Sequence, residues 1–216
     1  MSDPILSFGQ WRTNGELIAD VAELGYLDGD VIDLSYGRGK FWTKFRPKNL
    51  EVNDINESQA DWNYDVRDKS KFPLKWKSKF DVAVWDPPYR LSGRRDGRTA
   101  ASVTDFDARY GTETYRSPEQ VQELINAGIT FGSWCVRSGG IVLVKCQTQV
   151  AGGRKHFQPM RARDHAQVEH QLRLIDQFTM VQPRARKQPE FNRDGTVRWQ
   201  HHSRSNGSTL LVFRNL

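Results

Sequence analysis

Cysteine is scarce in this chain: 216 residues hold two, Cys135 and Cys146. Neither belongs to a Cys-x-x-Cys pair and no His/Cys cluster has zinc-ligand spacing, which argues against a disulfide framework and predicts no metal site. Cys146 closes the apolar run Ile141-Val142-Leu143-Val144 and reads as a reduced thiol near the core. Long hydrophobic runs are missing as well; none approaches the roughly 20 residues that span a bilayer. The start, Met1-Ser2-Asp3-Pro4, lacks the basic residues and apolar core of a signal peptide, so a cytoplasmic protein with no membrane partner is expected. Internal repeats and sharp linkers are absent too, and a single domain over 1–216 is the simplest expectation.

Charge, by contrast, is plentiful and unevenly placed. Hydrophobic residues make up 37% and charged ones 27%, a balance that favours a folded chain over a disordered one. The formal net charge is +6. From Arg184 onward come Arg186, Lys187, Arg193, Arg198, Arg204 and Arg214, against Glu190 and Asp194 alone. A basic C-terminal third suggests a polyanionic partner, because lysine and arginine gain affinity by releasing counterions from phosphates. Many basic surfaces bind nothing specific, so both readings stay open.

Short β-rich apolar runs alternate with helical patterns, the signature of an α/β sheet. Strands are predicted at Val31–Leu34, Leu50–Asp54, Phe80–Trp85 and, after Gly139-Gly140, at Ile141–Lys145. Ser208–Phe213 is a last apolar run, expected antiparallel at the sheet edge. Leu17, Ile18, Val21, Ala22 and Leu24 predict a helix from Glu16, with Gly25 as its stop. Ser117 and Pro118 suit the cap and first turn of a helix reaching Trp134. Val168, Leu172 and Ile175 predict another over Asp164–Phe178. Two polar stretches, 90–116 and 183–207, resist assignment; their length within a compact domain points to function or disorder.

The first strand runs into Asp33-Leu34-Ser35-Tyr36-Gly37-Arg38-Gly39. Glycines at such a place let the backbone turn tightly and approach a ligand, although many Gly-x-Gly turns serve no ligand. Asp54 follows about 20 positions after that strand, where a carboxylate can accept both hydroxyls of a ribose. A dinucleotide site would need glycine where Trp42 stands. A phosphate loop would need glycine for Leu34 and serine or threonine for Phe41. Asp33 suits a cationic ligand, such as the ammonium of a methionine moiety, better than a phosphate.

Asp86-Pro87-Pro88-Tyr89 ends the strand Phe80–Trp85, at the edge where α/β sheets place ligands. Pro87 forces Asp86 to be extended, and neither proline can donate to a ladder. The corner offers the Asp86 carboxylate and the Pro87 carbonyl as acceptors for the two hydrogens of one amino group. The Tyr89 ring can stack on the base that carries the amine. An exocyclic amine is a poor nucleophile because its lone pair is delocalised, and two acceptors can turn that lone pair towards an activated methyl group.

These two motifs, in this order, resemble those of the amino-group (adenine-N6 or cytosine-N4) DNA methyltransferases, in particular the small methylases of phages and actinobacteria. Asp33–Gly39 is similar to their cofactor motif and Asp86–Tyr89 to their catalytic one. The resemblance implies an α/β, Rossmann-like class I methyltransferase fold, with a seven-stranded, mainly parallel sheet whose last strand is antiparallel. It implies S-adenosylmethionine as cofactor, held by Asp33, Tyr36, Gly37 and Gly39, by Asp54 at the ribose and by Asp65 and Val66 at the adenine. It implies Asp86, Pro87, Pro88 and Tyr89 as catalytic residues. The family's aromatic often sits two residues after the aspartate, and Tyr36 comes one later. Larger members carry a separate target-recognition domain; here recognition falls to 90–116 and 183–207, with Arg94, Arg95, Arg98 and Arg109 as phosphate contacts or as a solvated loop. The expected partner is nucleic acid, DNA before RNA, with a protein glutamine amide or a catalytically silent nucleic-acid binder as alternatives.

Overall fold

The computed structural model describes residues 4–9, 11–56, 60–89, 117–151, 153–181 and 207–216. The segments 90–116 and 183–206, with Arg94, Arg95, Arg98 and Arg109, lie outside the described residues. Among the described residues no helix is long and apolar enough to cross a membrane.

Seven strands form one sheet: β1 (Phe8–Gly9), β2 (Asp30–Asp33), β3 (Asn49–Val52), β4 (Phe80–Trp85), β5 (Val136–Cys146), β8 (Leu172–Val181) and β9 (Gly207–Asn215). A separate hairpin pairs β6 (Gln149–Ala151) with β7 (Arg154–His156). The sheet order is β1-β8-β9-β5-β4-β2-β3. Within this sheet the pairings are parallel except those of β9, which is antiparallel to both β5 and β8.

Among the described residues three α-helices accompany these strands: α1 (Asn14–Glu23), α2 (Pro118–Cys135) and α3 (Gln158–His170). Thr13 caps α1 by accepting from the Glu16 amide, and Gly25 leaves the helix at φ 79°. Ser117 and Gln120 form a reciprocal capping box on α2, a device worth about 1 kcal/mol. The strands read as continuous apolar runs because both faces are covered. Ile32, Ala83, Trp85, Val142 and Val144 face one side with Val121, Ile125 and Ile129 of α2. Val31, Val82, Val84, Ile141 and Leu143 face the other with Leu17, Ile18 and Val21 of α1.

The strand order reverses beside β2: the chain goes from β2 outward to β3, then returns to β4 on the other side. A crevice therefore opens at the carboxyl ends of β2 and β4, where such sheets bind ligands.

Three expectations are corrected. The helix predicted over Asp164–Phe178 is α3 followed by β8. Gln171, at φ 54°, ends the helix, and Val168 is exposed, so the apparent periodicity spanned two elements. The face that α3 buries carries Gln158, Ala162 and Ala166, too little apolar bulk to mark a helix in the sequence. Ser208–Phe213 belongs to β9, which is antiparallel as expected but interior, between β5 and β8. Gly139 and Gly140 do not precede a strand; they lie within β5, where its register against β4 shifts.

Candidate active site

Two hydrogen bonds join the ends of β2 and β4. The Leu34 amide donates to the Val84 carbonyl at 2.9 Å, and the Asp86 amide donates to Ser35 Oγ at 2.8 Å. The glycine turn and the Asp-Pro-Pro-Tyr corner are thereby fixed side by side, although 51 positions separate Ser35 from Asp86. Asn53, almost fully buried, ties in the third arm. Its Nδ2 donates to the carbonyls of Leu34 and Tyr64, and its Oδ1 accepts from the Tyr64 amide.

These arms enclose a cleft whose empty space, including the part open to solvent, is about 620 Å³. Gly37 and Asp54 line it together with Asp65 and Val66. Asp86 and Pro88 line it as well, with Trp85 and Leu124. Six of the residues singled out in the sequence thus meet in one space. Asp33, Tyr36, Gly39, Pro87 and Tyr89 are near it but are not among its lining residues.

Each carboxylate has a distinct setting. Asp54 Oδ2 accepts from the Gly37 amide at 2.9 Å and Oδ1 from the Asn56 amide, which holds the glycine turn against β3. Asp65 is gripped by Arg67: Nε donates to Oδ1 at 2.9 Å and a terminal nitrogen to Oδ2 at 2.7 Å. The Arg67 hydrogen bonds hold the Asp65 carboxyl below the usual carboxylate range. Asp86 Oδ2 accepts from Asn14 Nδ2 at 3.3 Å, and Oδ1 lies 3.7 Å from Lys145 Nζ. Burial pushes the Asp86 carboxyl above its ordinary value, and the Lys145 charge opposes that push.

Asp33 sits behind the glycine turn, 3% exposed. Its two oxygens accept from the Ser35 amide at 2.9 Å and from Trp42 Nε1 at 2.7 Å. Asp33 thereby holds Trp42, the residue that stands where a dinucleotide fold has glycine. Burial pushes its carboxyl up to about 7; the two hydrogen bonds work against that, and the charges of Asp86 and Asp54 add to it.

A carboxyl raised in the folded state binds protons more tightly there than in the unfolded chain. Its contribution to stability is therefore full below the unfolded value of 3.8 and is lost as pH rises through about 7. Each unit of such a rise is worth about 1.4 kcal/mol. Urea unfolding between pH 4.5 and pH 8 is expected to show falling stability in the wild type and a shallower slope in Asp33→Asn. Equal slopes would remove Asp33 as the cause. The variant also starts lower, by about 1–3 kcal/mol, since an amide NH₂ then faces one of two donors.

At the corner, the Tyr89 amide donates to the Pro87 carbonyl at 2.7 Å, which closes a tight turn. The Tyr89 carbonyl accepts from Gln149 Nε2 at 2.6 Å and Gln158 Nε2 at 3.0 Å. Its ring packs against the core on the α2 side of the sheet, and its hydroxyl accepts from Lys145 Nζ at 2.9 Å. Tyr36 is placed under Arg46, its hydroxyl 3.4 Å from a guanidinium nitrogen, and a side chain at Gly39 would collide with its ring.

Sequence reasoning missed Lys145, Asn14, Ser35, Asn53 and Arg67. For Lys145 a signal existed: a lysine inside the run Ile141–Cys146 marks a charge buried with a partner. Among the described residues no group of three His, Cys, Asp or Glu side chains is placed to hold a metal ion.

No protein-family profile matches the sequence, and no curated protein matches it. Solved structures do. TrmN from Thermus thermophilus aligns with a TM-score of 0.50 at 12% identity, over 93% of this chain and 48% of that one, so the chain spans about half the length of TrmN. The N-methyltransferase NodS from Bradyrhizobium japonicum WM9, in complex with S-adenosyl-L-homocysteine, aligns with a TM-score of 0.48 at 14% identity, over 93% and 86% of the two chains. A TehB-like SAM-dependent methyltransferase from Corynebacterium glutamicum gives 0.47 at 12% identity, over 96% and 90%. At these identities the likeness is one of fold, and that fold is the α/β, Rossmann-like fold of class I methyltransferases, with seven strands and an antiparallel β9.

Proposed function

We propose that this chain transfers a methyl group from S-adenosylmethionine to an exocyclic amino group of a nucleobase, adenine N6 in DNA foremost. The observation that carries the reading is a cleft that Gly37, Asp54, Asp65, Val66, Asp86 and Pro88 line together. Three carboxylates on its wall, with Asp33 behind them, fit a cationic ligand; phosphates would be repelled.

Asp54 would hold the ribose hydroxyls, Asp65 and Val66 the adenine, and the Gly37 turn the methionine end of the cofactor. Bound there, the cofactor supplies an already activated methyl on a sulfonium. The chain's own task is then alignment. The Asp86 carboxylate and the Pro87 carbonyl each accept one N–H of the target amine and draw its nitrogen towards a tetrahedral shape. Such fixed acceptors act through orientation and electrostatics, which together supply most of the acceleration when no strong base is required. In duplex DNA the base must leave the stack to reach the corner. The choice of DNA and of adenine rests on the resemblance of Asp86–Tyr89 to the amino-group methylases and on the net charge of +6.

The test is transfer of labelled methyl groups to DNA, RNA and protein by the full chain, with the modified nucleoside identified after digestion. N6-methyladenine in DNA is the expected product. Label in RNA or in protein would replace the DNA assignment with that substrate. DNA binding with no transfer to any of the three would leave a silent nucleic-acid binder of the same fold.

A further inference from the structure

Lys145 takes no part in holding a cofactor or a base in the reading above, yet it is a charged residue only 3% exposed. It comes from β5, whose neighbours Val144 and Cys146 are completely buried. The parallel register pairs Trp85 with Val144, which brings Lys145 level with Asp86. Its Nζ lies 2.9 Å from the Tyr89 hydroxyl and 3.7 Å from Asp86 Oδ1, and 5.2 Å from the centre of the Tyr89 ring. An ammonium in such a place is costly unless it is paired, and both partners belong to the Asp-Pro-Pro-Tyr corner.

We propose that Lys145 is a positioning residue of the corner: its ammonium stands between the Asp86 carboxylate and the Tyr89 hydroxyl and fixes both side chains relative to Pro87. The inference rests on the methyl-transfer reading for its purpose, but not for its geometry. Asp86 can accept an amine hydrogen on both oxygens only as an anion, and burial works against the anion. Among the described residues the groups that face it are few. Tyr89 lies on its own segment, Lys145 and Cys146 come from β5, and Asp33 comes from β2. Asn14 from α1 donates to it without titrating. Among these described groups Lys145 is the cation. Burial pulls the ammonium down, but the Asp86 charge and the Tyr89 contact outweigh it and leave Lys145 above its usual range. It therefore stays charged across neutral pH.

The pairing also gives Tyr89 a task different from a loose stacking platform. Its hydroxyl is held by Lys145, its carbonyl by Gln149 and Gln158, and its amide by Pro87. With both ends pinned, the ring presents one edge orientation, and the Pro87 carbonyl is fixed with it.

The test reads Asp86 directly. In protein labelled with ¹³Cγ-aspartate, the Asp86 signal is assigned by its absence in Asp86→Asn and followed from pH 4 to 9. Lys145→Met is expected to raise its midpoint by about one pH unit or more, the effect of removing an adjacent opposite charge. Lys145→Arg is expected to return it towards the wild-type value. Lys145→Gln, which keeps a donor for Tyr89 without the charge, carries the same test if the methionine variant does not fold. An unchanged midpoint in the uncharged variants would overturn the proposal. Affinity for S-adenosylhomocysteine should stay within about twofold, while kcat on whichever substrate the labelled-methyl assay identifies falls. A parallel loss of that affinity would move Lys145 into the cofactor site and overturn it as well. Because the titration needs no turnover, it stands even if no methyl transfer is found.

Discussion

Replacing Asp86 by alanine is expected to lower methyl transfer by about 10²–10³-fold, the cost of deleting one preorganised group at a developing charge. Affinity for S-adenosylhomocysteine should change little, because the residues read as holding its ribose and adenine are Asp54, Asp65 and Val66. The Asp86 amide still donates to Ser35 Oγ in the variant, so the two strand ends stay joined. The substitution does leave Lys145 buried without its counter-charge. Breaking one side of a buried pair costs about 3–5 kcal/mol, unless the ammonium gives up its proton. Asp86→Asn is the companion variant, since it keeps one acceptor and most of the volume. Radiolabel incorporation, calorimetry with S-adenosylhomocysteine and a urea titration on the same preparations separate the three effects. Full activity in Asp86→Ala would remove the corner from the chemistry.

The second large effect concerns cofactor binding. Asp54→Ala should weaken S-adenosylhomocysteine binding by about 10- to 100-fold, the equivalent of one charge-assisted hydrogen-bond partner lost. Part of the loss comes through the glycine turn, because Asp54 Oδ2 receives the Gly37 amide. Asp54→Asn keeps that acceptor and should recover a share of the affinity. Calorimetry on the three proteins checks the order, and equal affinities would place the ligand elsewhere.

Much of this arrangement was legible because burial on both faces writes strands as unbroken apolar runs. Val31–Leu34 and Phe80–Trp85 were readable for that reason, and so were the residues that follow them. The start of α2 was readable because Ser117, Pro118 and Gln120 carry cap chemistry in their side chains. The end of α3 was not. It depends on the left-handed backbone of Gln171, which has no side-chain signature, and β8 then continues with buried residues at irregular intervals. At the site, Gly37, Asp54, Asp65, Val66, Asp86 and Pro88 were nameable from motif and resemblance. Their supports were hidden because each acts across the chain. Asn14 reaches Asp86 over 72 positions, and Lys145 reaches Tyr89 over 56. For Asp33 the motif position was clear, while its hydrogen bonds from Ser35 and Trp42 emerge only from the packing.

The interior place of β9 bears on how the molecule assembles. Gly207–Asn215 is the last strand in the chain, yet it fills the gap between β5 and β8 and bonds to both. Until it enters, β5 and β8 each present an open edge, and the α3–β8 unit and β1 have no ladder to the rest of the sheet. Pairing Ile141 with Arg214 closes a long loop, the kind of contact that slows folding because chain entropy is spent before the contact forms. The β1–β8 half of the sheet is therefore joined to the β5–β4–β2–β3 half through this strand alone, and a chain without it would expose the edges of both β5 and β8.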